Sequence, residues 1–453
     1  MNRDLTQGSI TKTMLLFALP MMVGNVLQQL YNVADTLIVG RILGANALAA
    51  VGAAYPLMSF LTSIFLGLCM GSGVVFSIRF GERDEERMKV SIFLSFALIA
   101  AITLLLNAAV FLWIDPIMAL LQVPQEIYSL MREYLQIVFA GIVATFLYNY
   151  AATLLRAVGN SVVPLVFLAL SALLNIALDL VFILCFHWGV SGAAFATTLA
   201  QWVSGVGAFA YMLIRFLELR VSRWHMRWDR GILAEIAQCS LLTCMQQSIM
   251  NFGILMVQGL VNRFGTVVMA AFAAAVKIDS FAYMPVQDFG NAFSTFIAQN
   301  YGAQRSDRIR RGIRSAVLTA LAFCLIITAG VCTFARPLMT IFVDPSETEI
   351  IAIGVQYLRI EGAFYFGIGF LFLLYGFYRA VTRPQMSLVL TIISLGTRVL
   401  LAYTLSAIPA IGVVGIWASV PIGWVLADVT GAVYYWKRQK SLLPLPLDDR
   451  KHR

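Results

Sequence analysis

LLFALPMMVGNVLQQLYNVADTLIVG, residues 15–40, is long enough to cross a bilayer and holds a single charged residue, Asp35. About 20 apolar residues in helical form span a hydrocarbon core, whereas a barrel strand alternates over about 10. This run is continuous and does not alternate, so it predicts a membrane helix. The rest of the chain has the same character. Of its 453 residues 60% are hydrophobic and 12% charged, with a mean hydropathy of +0.83, against about 25% charged in a soluble domain. The sequence is therefore that of an integral membrane protein with helical spans. MNRDLTQGSITKTMLLFALPMMV (1–23) has no small-residue cleavage site closing a short apolar core, so it reads as a retained first helix.

Apolar runs between polar breaks place spans near 13–38, 48–76, 91–113, 132–153, 163–185, 190–214, 233–260, 267–297, 313–334, 352–376, 386–406 and 412–436. With the N-terminus inside, the inner segments collect 25 of the 32 Lys and Arg residues. The outer segments keep Arg41, Arg132, Arg263, Arg336 and Arg359, and Lys277 and Arg398 fall within the membrane. That bias predicts a multi-pass protein of the cytoplasmic membrane with both termini cytoplasmic. It also accounts for the +9 net charge without a nucleic acid partner. RFLELRVSRWHMRWDR (215–230) reads as a basic linker on anionic headgroups, with Trp224 and Trp228 suited to that interface.

The chain repeats itself. FGERDEER (80–87) resembles YGAQRSDR (301–308), and DPIMALL (115–121) resembles RPLMTIF (336–342), while LLRAV (154–158) matches FYRAV (377–381) and GVSGAAFA (189–196) matches GVVGIWAS (412–419). Six spans, an even number, separate equivalent points, so the copies share one orientation about an axis along the membrane normal. The expected domains are a six-helix lobe over 1–214, the linker 215–230, a second six-helix lobe over 231–436 and a basic tail over 437–453. The fold class is all-α: twelve transmembrane helices in two pseudo-symmetric lobes around a central cavity. Transporters of this build move one half against the other, giving alternating access.

A carboxylate in mid-membrane costs roughly 2.5–3.5 kcal/mol on insertion scales and marks function by default. Asp35 lies six residues before Arg41, about 9 Å below the outer boundary at the helical rise. Asp179 lies nine residues before Trp188, about 13 Å deep on the same rise. Asn175 shares the Asp179 face at i, i+4, and Thr197 enters the layer from the sixth span. Carboxylate, amide and hydroxyl oxygens are hard ligands for a small hard cation, so these four are the cation-coupling candidates, for H⁺ or Na⁺. No other metal site and no cofactor is expected. Pro20 removes one backbone bond from its helix and predicts a bend.

LTQGSITKTMLLFALPMM (5–22), YNVADTLIVGRILGANALAAVG (31–52), the Asn175 and Asp179 pair, GAAFAT (192–197) and FIAQNYGAQRSDRI (296–309) resemble the multidrug and toxic compound extrusion (MATE) family over nearly the whole chain. The resemblance implies a V-shaped twelve-helix transporter exporting cationic or amphipathic compounds in exchange for Na⁺ or H⁺. Within the family the chain resembles the DNA-damage-inducible and archaeal-like branch, whose coupling acids on spans one and five match Asp35 and Asp179. Asn175 and Thr197 match its supporting polar positions, and Pro20 its first-span proline. Another branch carries acids on spans seven and ten; here span seven has only Glu235, at its inner end, and Glu361 on span ten has no acidic partner there.

In the C-terminal half Lys277, Asp279, Glu361 and Arg398 reach one layer, where two cations and two anions can neutralise one another; alternatively Lys277 or Glu361 faces a substrate cavity. Gln28, Tyr31 and Gln246, with neighbouring methionines, suggest a soft substrate wall. Asp428 lies near the inner third of the last span, in packing or in a pathway. GSG (71–73) reads as a close helix contact. The six cysteines lack metal spacing and read as reduced packing residues. No GxxxxGK[ST] loop is present, so ATP is not the energy source, and His187, His225 and His452 form no metal or nucleophile set. The chain is thus expected to be a monomeric secondary antiporter and not an enzyme, its partners being small organic cations, amphipathic drugs and the lipid bilayer. The alternatives are a flippase for a lipid-linked saccharide or other amphipathic lipid and, more remotely, a channel.

Overall fold

In hydrocarbon each backbone N–H and C=O has to be paired within its own segment, so the apolar runs can only be helices. The computed structural model describes residues 4–120 and 123–443. Its helices are α1 (Ile10–Ile38), α2 (Ala45–Glu82), α3 (Glu85–Leu112), α4 (Ile114–Leu120), α5 (Gln125–Ala140), α6 (Ile142–Ala157), α7 (Val162–Leu180) and α8 (Gly189–Arg215), then α9 (Arg230–Val261), α10 (Thr266–Gly302), α11 (Ser306–Met339), α12 (Thr348–Gly362), α13 (Tyr365–Ala380), α14 (Pro384–Ser406) and α15 (Val414–Leu442). Among the described residues ten helices are long and apolar enough to cross a membrane, and two bent pairs, each taken as one span, bring the number to twelve. The all-α, twelve-span architecture read from the sequence is borne out. Beyond residue 443 the expected basic tail lies outside the described residues, as does Arg3.

Two spans expected as single helices are broken, and they are the fourth of each half. The axis turns by 44° between α5 and α6 and by 51° between α12 and α13. At the first break stands Gly141, where a Cβ would come within 2.9 Å of Thr198 Cγ2 on α8. The glycine lets α8 pack against the turn. Hydropathy runs unbroken through the first site, which is why it does not register the turn there; at the second, Arg359 and Glu361 stand just before the turn, but the flanking residues are apolar enough to read as one span. Pro20, by contrast, sits inside α1 with the helix continuing on both sides.

The compact units do not divide at the linker. One is built on residues 19–244, the other on residues 4–18 with 245–443. The first residues of α1 therefore belong to the second unit, and the first four turns or so of α9 to the first. In the first unit Arg79 pairs with Glu82 at 2.9 Å and with Glu235 on α9, and Arg227 of the linker pairs with Glu86 at 3.0 Å. α2 and α9 meet backbone to backbone: Ser72 and Ser240 share a hydrogen bond of 2.8 Å, and a Cβ on Gly71 would lie 2.4 Å from the Cys239 carbonyl oxygen.

In the second unit the motif 296–309 holds the segment 5–8. The Leu5 N–H donates to Gln299 Oε1 at 3.0 Å, and Asn300 Nδ2 donates to the Leu5 carbonyl at 3.2 Å. Arg305 donates to the Thr6 carbonyl at 3.0 Å. The Arg308 guanidinium donates to the carbonyls of Leu5 (3.2 Å), Gln7 (2.7 Å) and Gly8 (2.8 Å). Such bonds contribute about 0.5–1.5 kcal/mol each after exchange with water. Arg308→Ala should lower the apparent melting temperature of the purified protein by roughly 2–6 °C, and Arg308→Lys should recover little, because a compact ammonium cannot copy the guanidinium fork. A lysine variant as stable as the parent would mean that charge alone holds the segment.

Candidate functional site

Four helices of the first unit bring polar groups to one point inside it. α1 supplies Asp35 and Tyr31, α5 supplies Tyr134, α7 supplies Asn175 and Asp179, and α8 supplies Thr197. Spacing explains the α1 and α7 contributions: in each helix the two groups stand four residues apart and share a face. Asp179, Asn175 and Thr197 are 0%, 1% and 6% exposed, whereas Asp35 retains part of its surface. The carboxyl groups of Asp35 and Asp179 are neighbours, close enough to interact directly. With the Asn175 amide turned to satisfy both its ends, its nitrogen donates to Asp179 Oδ2 at 3.1 Å. Its oxygen then accepts from Thr197 Oγ1 at 3.2 Å and from the Thr197 N–H at 3.1 Å. Tyr31 stands beside Asp35, Asp179 and Thr197.

All four coupling candidates meet. Tyr31, read as substrate wall, stands among them, and Tyr134 is an addition: it is buried beside Asp35, Asp179 and Tyr31. Nothing in the sequence distinguishes Tyr134 from the other 15 tyrosines. Asp35 Oδ1 and Asp179 Oδ1 are buried without a hydrogen-bond partner among the described residues. Two neighbouring carboxyl groups, each with an open oxygen, can take a proton or a small monovalent cation between them, since two bare carboxylates at that range repel.

The second unit gathers a different set. Asp279 on α10 and Glu361 on α12 are buried, with Arg398 of α14 and Tyr365 of α13 around Asp279. Tyr357 donates to Glu361 Oε2 at 2.9 Å. Lys277 does not join them. It is exposed and makes no ion pair among the described residues, which corrects the expectation of a four-charge cluster. Two residues along a helix turn the side chain by about 200°, so with Asp279 facing inward Lys277 faces out. Lys277→Ala should therefore leave the yield of folded protein unchanged; a fall in yield would restore it to a structural role. Gln246, also read as substrate wall, is 2% exposed with its Oε1 unpartnered, and Gln28 is half-buried on α1. The cysteines are all free thiols.

The MatE family model matches the chain twice, over residues 20–181 and 242–404. The chain belongs to the MATE family of transporters. The two matches start 222 residues apart (20 against 242), the spacing of the internal repeat, so each half carries one copy of the family unit over its first five spans. The first MATE unit holds Asp35, Tyr134, Asn175 and Asp179; the second holds Asp279, Glu361 and Arg398. Over 444 residues the chain is 30% identical to the probable multidrug resistance protein YpnP of Bacillus subtilis (strain 168), covering 96% of this chain and 98% of that one. It is 27% identical to a FAD transporter of Shewanella oneidensis over 95% of both chains. Among solved structures it superposes with a TM-score of 0.90 on the outward-facing conformation of a multidrug resistance MATE transporter, at 25% identity and covering 97% of this chain and 98% of that one. The two-lobed MATE fold and a transporter's role, not an enzyme's, follow.

Proposed function

We propose that this MATE transporter is a secondary antiporter of the cytoplasmic membrane, exporting cationic or amphipathic organic compounds in exchange for H⁺ or Na⁺ taken up at Asp35 and Asp179. The observation that carries the reading is the close approach of those two carboxyl groups, each with a buried oxygen unpartnered among the described residues. The ion arrives at Asp35, whose surface stays partly open, and is held against Asp179, fixed by Asn175. Thr197 orients that amide, and Tyr31 and Tyr134 close the group against water.

Coupling by alternating access needs no direct contact between ion and cargo. Each has only to favour a different state of one conformational equilibrium. The multidrug name of the YpnP relative supports drug-like cargo over a lipid-linked saccharide. The decisive measurement is ethidium transport in vesicles of the purified protein, against a concentration gradient, with and without Na⁺ at fixed pH. Concentrative transport driven by one ion gradient is expected. Movement that only dissipates the ethidium gradient would indicate a channel.

A further inference from the structure

Asp428 is a membrane carboxylate that the ion site does not use. It lies on α15, outside the residues matched by the MatE model, and lines a cleft of about 510 Å³ enclosed by α10, α11, α13 and α15 of the second unit. That volume accommodates a drug-sized molecule. The walls are apolar and aromatic, with Phe293, Phe370, Phe377, Tyr435 and Trp436 among them, and Asp428 is the charged residue of the lining. Asp428, Ala432 and Trp436 follow one another at i, i+4 on one face of α15. Ala432 leaves the space between the carboxylate and the indole open. Asp428 Oδ1 is buried and has no hydrogen-bond partner among the described residues, and its Oδ2 lies beside Gly367 of α13. Val429, Val433 and Trp436 are exposed on the unit's surface, so on a membrane helix the cleft opens toward lipid.

Charge complementarity selects the occupant. A buried carboxyl group is satisfied by a proton or, better, by a cationic partner that also fills the space beside it, and aromatic faces attract cations and cover apolar rings. A lipid acyl chain would fill the walls and leave the carboxylate unmet, and an anion would be repelled by it. We propose that this cleft is a membrane-facing binding site for amphipathic organic cations, with Asp428 as counter-ion, separate from the Asp35 and Asp179 pair. The site lies at the end of α15 that continues into Lys437, Arg438 and Lys440, the end that the charge distribution assigns to the cytoplasm. A lipophilic cation dissolved in that leaflet reaches it sideways. The inference rests on the reading that the cargo is an organic cation.

The test is equilibrium binding of tetraphenylphosphonium to the full-length protein in nanodiscs, without any ion gradient, for the parent, Asp428→Asn and Ala432→Trp at equal amounts of monodisperse protein. Asp428→Asn should weaken the binding about tenfold or more, the order of a lost desolvated charge partner, yet leave the neutral probe N-phenyl-1-naphthylamine bound. Ala432→Trp should displace both. Unchanged tetraphenylphosphonium binding in both variants overturns the proposal. So does release of a retained phospholipid by Ala432→Trp with no loss of cation. Ethidium export measured beside it keeps the two readings apart. If the parent shows no gradient-driven export while its cation binding still depends on Asp428, the antiport reading fails and this site stands. Gradient-driven export with binding indifferent to Asp428 fails this site alone.

Discussion

Asp35→Asn, and separately Asp179→Asn, should abolish gradient-driven export while leaving folded protein at parental levels. Asparagine keeps the shape and one acceptor oxygen of the side chain but can carry neither the negative charge nor the exchangeable proton. The ion then has no differential affinity for the two states, and a ligand of equal affinity shifts nothing. Coupling free energies commonly correspond to about 5–150-fold in affinity, and with that coupling gone ethidium should no longer accumulate against its gradient. Asp179→Asn should be the more damaging, because Asp179 is fully buried and receives the Asn175 amide. Equilibrium binding of cargo should survive in both variants, which separates lost coupling from lost folding. Parental transport by Asp35→Asn would remove Asp35 from the mechanism.

Gly71→Leu should collapse the yield of folded protein, whereas Gly52→Leu on the same helix should be tolerated. A Cβ at Gly71 would lie 2.4 Å from the Cys239 oxygen and 2.4 Å from Ser240 Cα, and one at Gly67 would lie 2.5 Å from Cys244 Cα; around Gly52 nothing stands within 4 Å. The groups in the way at Gly71 are backbone and cannot rotate aside, so α2 and α9 would have to part and break the Ser72–Ser240 bond. Overpacking typically costs about 1–3 kcal/mol and sometimes more, and a backbone contact belongs at the upper end. Size-exclusion profiles of detergent extracts, read side by side for the two leucine variants, decide the matter. Matching profiles would mean that the interface yields freely.

What could be read in advance depended on whether one dimension sufficed. Depth in a membrane is a count of residues at a fixed rise, so Asp35, Asp179, Asn175 and Thr197 could be assigned to one layer before any fold was known. The side on which a residue stands is also readable when the helix phase is used. Lys277 and Asp279 are two residues apart and could not both face inward, a point that depth alone overlooks. The motifs 5–22 and 296–309 carried a family resemblance without disclosing that one binds the other. Their contacts run from side chain to main chain across almost 300 positions, and main-chain carbonyls leave no mark in a sequence.

By itself the sequence determined the solvent, the twelve apolar spans, the duplication and the acids that lipid would otherwise exclude. Each follows from a sum over neighbouring residues: hydrophobicity per turn, charge per loop, oxygen atoms per layer. Tertiary structure alone decided that Tyr134 completes the acid cluster, that the fourth span of each half breaks, that the starts of α1 and α9 belong to the opposite units, and that Asp428 borders an aromatic cleft. Those outcomes depend on azimuth and on close approach between distant helices, where a missing Cβ or a buried oxygen matters through what lies opposite it.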